Sequence, residues 1–242
     1  KDSDLNYLSV RYGKSDKIIA GDPLFKTFYI EYQDELDSIG KRPDILLFDK
    51  KDFKNELSED ISKLPAESLS QLVPLAKAGF EVRSSAYLTK KFIDKKDRPF
   101  LSFTPKVEDL LVVLKWINTF NVPHFYVQVF FDAIYVISFA EILDLLRGAE
   151  IKEKGIKNKK LFGFKDGKLA FVIEKNPKNQ YKETIHLFLS NGNLLTEKMI
   201  DPKFVAKRKE LVGGRLLHYV SFDGGEAKLN TKILKQLIEK AY

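Results

Sequence analysis

Arg42-Pro43-Asp44-Ile45-Leu46-Leu47-Phe48 and Gly79-Phe80-Glu81-Val82-Arg83-Ser84-Ser85 are the two stretches that decide how this chain reads. Each places one carboxylate at the edge of an apolar run too short for a helix. Pro43 disfavours the helical region for the residue before it, so Asp44 opens a strand. Glu81 follows a glycine and a phenylalanine, again at a strand entry. Two carboxylates on neighbouring strands, with a cation nearby, can hold Mg²⁺ against a phosphodiester. Mg²⁺ takes oxygen ligands and needs only one or two carboxylates from the protein. By themselves the two residues are ordinary: Asp44 can cap a turn, and Glu81 can pair with Arg83.

Outward from these strands the pattern alternates. Asp22 and Pro23 suit the cap and first position of a helix with apolar positions 24, 25, 28, 32 and 36, stopped by Gly40. The charged stretch 50–62 reads as an exposed connection, and a helix over 66–77, despite Pro74, leads to the Glu81 strand. Leu101-Ser102-Phe103 reads as a third strand. A helix follows from Pro105 to about Thr119, with Val107, Leu110, Leu111, Leu114 and Ile117 inward. Residues 125–131, aromatic and β-branched almost throughout, predict a central strand, and 138–146 a short helix.

Beyond residue 160 the signals are those of hairpins. Asp166-Gly167 separates runs 161–164 and 169–173, Asn191-Gly192 separates 184–189 and 194–200, and Gly224-Gly225 centres a third turn within 216–228. Asn230 can cap a last helix with Ile233, Leu234, Leu237 and Ile238 on its stripe. No internal repeat is visible.

Composition narrows the class. With 242 residues and 44% hydrophobic content the chain can bury one substantial core. No apolar run reaches membrane-span length and no leader pattern is present, so no membrane partner and a cytoplasmic location are expected. The absence of cysteine excludes disulfides, cysteine zinc sites and cysteine nucleophiles. No Gly-rich phosphate loop occurs, so no nucleotide cofactor is expected. Net charge is +7, unevenly spread: residues 141–242 carry 21 Lys/Arg against 13 Asp/Glu, whereas residues 1–140 carry 20 against 21. A basic second part beside a near-neutral part holding the paired carboxylates fits a polyanion surface next to a metal site; a solvated lysine-rich surface is the plain alternative.

The string Pro43-Asp44…Glu81-Val82-Arg83 resembles the PD-(D/E)xK nuclease motif, with arginine where lysine usually stands. Residues 79–88, 101–110 and 122–132 are similar to type II restriction endonucleases of the AccI kind, a likeness over roughly 10–146. The resemblance implies an α/β fold: a central mixed sheet flanked by helices, here with a C-terminal hairpin-rich extension. One nuclease domain over 1–242 is expected, with 1–146, where the resemblance lies, as catalytic core, and with 147–242, by its basic charge and hairpin pattern, for DNA contact or dimerisation. Such enzymes are Mg²⁺-dependent, commonly homodimeric, and cut short sites in double-stranded DNA. A repair or recombination nuclease of the same fold is one alternative. A non-catalytic DNA-binding protein on a degenerate nuclease fold is another, which Arg83 permits.

On this reading Asp44 and Glu81 hold the metal. Arginine supplies charge but stays protonated and cannot act as a base. Either Arg83 gives only electrostatic stabilisation, or a lysine from elsewhere takes the role, with Lys106 the leading candidate. Glu31, on the helix before Asp44, and Gln128, polar within an apolar strand, are candidates for support around the metal. Ser84 and Ser85 can donate to phosphate or base edges. Lys157, Lys159, Lys160, Lys207, Arg208 and Arg215 are the expected DNA contacts, with Arg208 and Arg215 favoured for guanine edges. The three histidines, 124, 186 and 218, lack metal-ligand spacing and read as core or interface residues.

Overall fold

A computed structural model describes residues 6–14, 23–52, 59–85, 87–91, 101–154, 160–175, 183–210 and 216–241. Its centre is a six-stranded mixed sheet. Strand β1 (Tyr7–Arg11) runs antiparallel to β2 (Ile45–Asp49), and β2 antiparallel to β3 (Ala78–Ser84). Strand β3 is parallel to β5 (His124–Val129), which pairs antiparallel with β6 (Ile134–Ser138), and a two-residue strand, β11 (Asn193–Leu194), closes the edge. The parallel β3–β5 pair needs a crossover, and helix α3 (Val107–Phe120) lies in it.

Helix α1 (Phe25–Ile39) begins later than the cap signal predicts: Leu24, 65% exposed, holds the N-cap position without a side-chain bond. Asp22 lies outside the described residues. Helix α2 (Ala66–Leu72) is short because Pro74 has no N–H to extend the ladder, so Val73–Leu75 tightens into a 3₁₀ turn. The end of the charged 50–62 stretch is anchored, with Ile61 fully inside the core. In α3 the predicted Val107, Leu110, Leu114 and Ile117 pack, partly buried, against the core, the most buried residues are Val113, Trp116 and Phe120, and of the predicted stripe only Leu111, 75% exposed, faces away. Helix α4 (Phe139–Arg147) opens on a capping box, Ser138 with Glu141, and α5 (Thr231–Lys240) on Asn230, whose Oδ1 accepts from Ile233 N at 3.0 Å.

Both faces of the central sheet are covered. Leu46 and Phe48 pack with Leu69, Val73, Trp116 and Phe120 on one face; Leu47, Phe80, Phe125 and Val127 pack with Leu234, Leu237 and Ile238 of α5 on the other. A second, antiparallel sheet has the order β4-β10-β9-β8-β7: β4 (Ser102–Phe103), β10 (Thr184–Phe188), β9 (Lys168–Glu174), β8 (Lys160–Lys165) and β7 (Glu150–Lys154). Its Phe171, Ile185 and Leu187 share a cluster with Val113, Tyr126, Ile137 and Ile142. The third predicted strand therefore exists, but in this second sheet.

The hairpins divide. Asp166 (φ 51°) and Gly167 (φ 74°) form the predicted tight turn between β8 and β9. Asn191-Gly192 forms none: Asn191 is not left-handed, and its side-chain amide donates to Ala170 O and Phe188 O. The chain there leaves the second sheet for the first. A Cβ on Gly192 would meet Phe103 Cζ and Val136 O, both at 2.7 Å, so glycine serves close approach and not a turn. Around Gly224-Gly225 the predicted third hairpin is instead a break in a longer ribbon. Strand β12 (Thr196–Ile200) pairs with β15 (Glu226–Leu229), and within that pair β13 (Lys203–Glu210) pairs with β14 (Leu216–Asp223). No helix among the described residues is long and apolar enough to cross a membrane.

Candidate active site

The antiparallel register Ile45↔Phe80 extends by one residue to set Asp44 opposite Glu81. Side-chain alternation then sends both carboxylates to the sheet face occupied by Leu46 and Phe48. Asp44 is tied down from both sides: its Oδ2 accepts from Val82 N at 2.7 Å, and its backbone carbonyl accepts from Tyr12 N and Gly13 N. Gly13 is required there, since a Cβ would stand 2.9 Å from Asp44 Cα. Glu81 is buried.

Two cations converge on one oxygen of Glu81. Arg83 Nη2 stands 2.7 Å from Oε1, and Lys41 Nζ donates to the same atom at 2.9 Å. Lys41 Nζ also donates to Asp109 Oδ1 at 3.1 Å, and Arg83 Nη2 lies 3.7 Å from Asp109 Oδ2. Asp109 sits in the first turn of α3, where the helix dipole favours an anion. Burial lifts the Glu81 carboxyl above the usual carboxylate range and the charge of Asp44 adds to this, while Lys41 and Arg83 pull against it. Burial pushes the Lys41 amine down, but Glu81 and Asp109 together outweigh it and hold Lys41 above its ordinary value. Lys41 is therefore charged at neutral pH.

Of the predicted residues, Asp44, Glu81 and Arg83 come together and Lys106 does not. Lys106 holds the N-cap position of α3, and among the described residues its half-exposed amine pairs with Glu108, at 3.4 Å, and not with Glu81. Glu31 is exposed on α1. Glu35 of α1 pairs with Lys14 at 2.6 Å and with Arg42 Nε at 2.7 Å, so α1 is clamped to the segment that carries Lys41. Gln128 is fully buried; its Nε2 donates to Ser85 Oγ at 2.9 Å, and its Oε1 has no partner among the described residues. Gln128 thus anchors the end of β3, with Ser84 exposed and Ser85 held. Asp132 fixes the loop beyond, accepting from Thr89 N at 2.7 Å and from Lys90 N at 3.1 Å.

The predicted DNA contacts scatter. Lys207 and Arg208 are exposed on β13, and Lys160 pairs with Glu174 at 3.5 Å on β8. Lys157, Lys159 and Arg215 lie outside the described residues. Sequence reasoning missed Lys41 and Asp109: one follows the helix-stopping Gly40, the other sits in the first turn of a helix, and neither position signals chemistry by itself.

Asp44 and Glu81 are hard oxygen donors of like charge brought to one face of adjacent strands, a donor set that fits Mg²⁺ with water completing its shell. Among the described residues no third acid joins them as a ligand cluster. A model of the AccI restriction endonuclease family matches the chain over residues 1–97 and again over residues 91–241. No curated protein and no solved structure matches the chain.

Proposed function

The chain belongs to the AccI restriction endonuclease family and is a type II site-specific deoxyribonuclease, and on that premise we propose that it hydrolyses the phosphodiesters of double-stranded DNA with Mg²⁺ at Asp44 and Glu81, on a PD-(D/E)xK core. The observation that carries this reading is the Asp44–Val82 hydrogen bond of 2.7 Å, which sets Asp44, at the start of β2, beside Glu81 in the middle of β3. When bound, Mg²⁺ supplies a water of lowered pKa and neutralises charge on the leaving oxygen. The rest of the work belongs to side chains. Val82 N and the Tyr12 and Gly13 amides hold Asp44 in one orientation. Arg83 keeps its proton and contributes charge beside Glu81 without moving a proton.

A homodimer follows from the chemistry of the substrate: a two-fold assembly puts one such site on each strand of a palindromic duplex. Lys160, Lys207 and Arg208 are proposed to meet DNA, with Ser84 near the scissile strand. The exposed two-stranded ribbon β13–β14 has the width that a major groove admits.

Plasmid cleavage tests the reading. With Mg²⁺ the protein is expected to give discrete bands, and with EDTA, or as Asp44→Asn, none. Equal cleavage by the wild type and Asp44→Asn would sink the site, and a smear without discrete bands would point to a structure-selective nuclease.

A further inference from the structure

We propose that Lys41 supplies the ammonium that meets the scissile phosphate, in place of a lysine at position 83; this rests on the Asp44–Glu81 site proposed above. A phosphodiester under attack gathers negative charge on its non-bridging oxygens, and a preorganised cation stabilises that charge best where water is excluded. Lys41 meets both conditions. Its side chain is 15% exposed, and its Nζ lies 2.9 Å from the oxygen of Glu81 that Arg83 also holds. An ammonium has three donors. Two are spent on Glu81 and Asp109, and among the described residues the third has no acceptor.

The backbone aims this lysine. Gly40 has φ +81°, and a Cβ there would meet Val112 O at 2.2 Å and Trp116 N at 2.5 Å, so the turn is pressed against α3 where no other residue fits. Lys41 N then donates to Val112 O at 2.9 Å. The same helix brings Asp109, whose carboxylate accepts a second hydrogen bond from the amine at 3.1 Å. Arg83 reaches Glu81 from two residues along the same strand, so a lysine at 83 has a route to the same oxygen. A purely structural role would make Lys41 a bridge between β3 and α3, yet a buried ion pair is weak support for a fold. Lys41 moves no proton in this proposal; it holds charge.

Single-turnover cleavage of a duplex with Mg²⁺, read on wild type, Lys41→Met, Arg83→Lys and the double variant, tests it. DNA affinity in EDTA and thermal melting are measured alongside. Lys41→Met is expected to cut ~10²–10³-fold more slowly, with DNA affinity within about threefold of wild type. Adding Arg83→Lys to Lys41→Met is expected to return at least about tenfold of the lost rate. Lys41→Met cutting at the wild-type rate, or a double variant as slow as Lys41→Met, overturns the proposal. If Lys41→Met alone does not melt cooperatively, Lys41→Met/Asp109→Asn removes both charges of the pair and is read by the same criteria. Asp44→Asn separates the failures: if it too cuts normally the site itself is wrong, whereas if it is dead while Lys41→Met is active only the role of Lys41 falls.

Discussion

His124 stands between the rings of Trp116 and Phe139, at centroid distances of 5.8 and 6.0 Å, with neither ring nitrogen hydrogen-bonded among the described residues. Burial, with Lys41 adding to it, pushes its imidazole down to about 3. The unfolded chain binds this proton near 6.5, so below that pH unfolding takes up a proton that folding refuses. Stability is whole above about 6.5 and is lost as pH falls toward 3, at up to ~1.4 kcal/mol per pH unit from this residue. The urea midpoint of the wild type should therefore drop between pH 7 and pH 5, and His124→Phe should remove ~2 kcal/mol of that difference. An unchanged pH dependence in the variant would show that other groups carry it. At this scale the chain was only partly readable. Asp44 and Glu81 announce themselves through Pro43 and Gly79, which are local. Lys41 does not, because its partners, Glu81 and Asp109, are brought to it only by the sheet and by α3.

Elements were legible where one or two residues set the backbone. Asp166-Gly167 adopts positive φ at both positions, and Asn230 caps α5 as its type suggests. Replacing Asn230 by Ala should cost ~1 kcal/mol, a typical cap. In a chain of this size that is a fall in melting temperature of ~2–4 °C, and calorimetry would read it; no shift would mean that α5 is held wholly by Leu234, Leu237 and Ile238. Pairing was not legible. Asn191-Gly192 has hairpin composition, but β10 finds better partners in β4 and β9, and β11 completes the central sheet beside β6. The ribbon was hidden for the same reason: Gly224-Gly225 reads as a tip, whereas β14 pairs back to β13 and β15 to β12, a nested arrangement that no short window contains.

Across the whole molecule the likeness over roughly 10–146 and the structural core do not share a boundary. Strand β11 lies at the edge of the central sheet, α5 covers one face, and Phe171, Ile185 and Leu187 of the second sheet fill the cluster against α3 and α4. Burying one large apolar side chain contributes ~1.5–3 kcal/mol, against a net stability of about 5–15 kcal/mol for a domain. Residues 1–146 alone would expose the partners of Leu234, Leu237, Ile238, Phe171, Ile185 and Leu187 together, a loss of ~9–18 kcal/mol that is as large as the margin itself. That fragment should show no cooperative thermal transition. The ribbon differs. Phe204 is 53% exposed, and its ring meets that of Phe131 at a centroid distance of 4.2 Å, an aromatic pair of ~0.5–1.5 kcal/mol. Pro202 and Gly225 approach closely enough for a Cβ on Gly225 to lie 2.9 Å from Pro202 Cβ, so a short turn can join the strands there. Replacing 203–223 by such a turn should keep the melting transition while weakening DNA binding and flattening its salt dependence, because Lys207 and Arg208 leave with it. Loss of the transition would place the ribbon in the core, and unchanged DNA binding would move recognition to the face carrying Lys160.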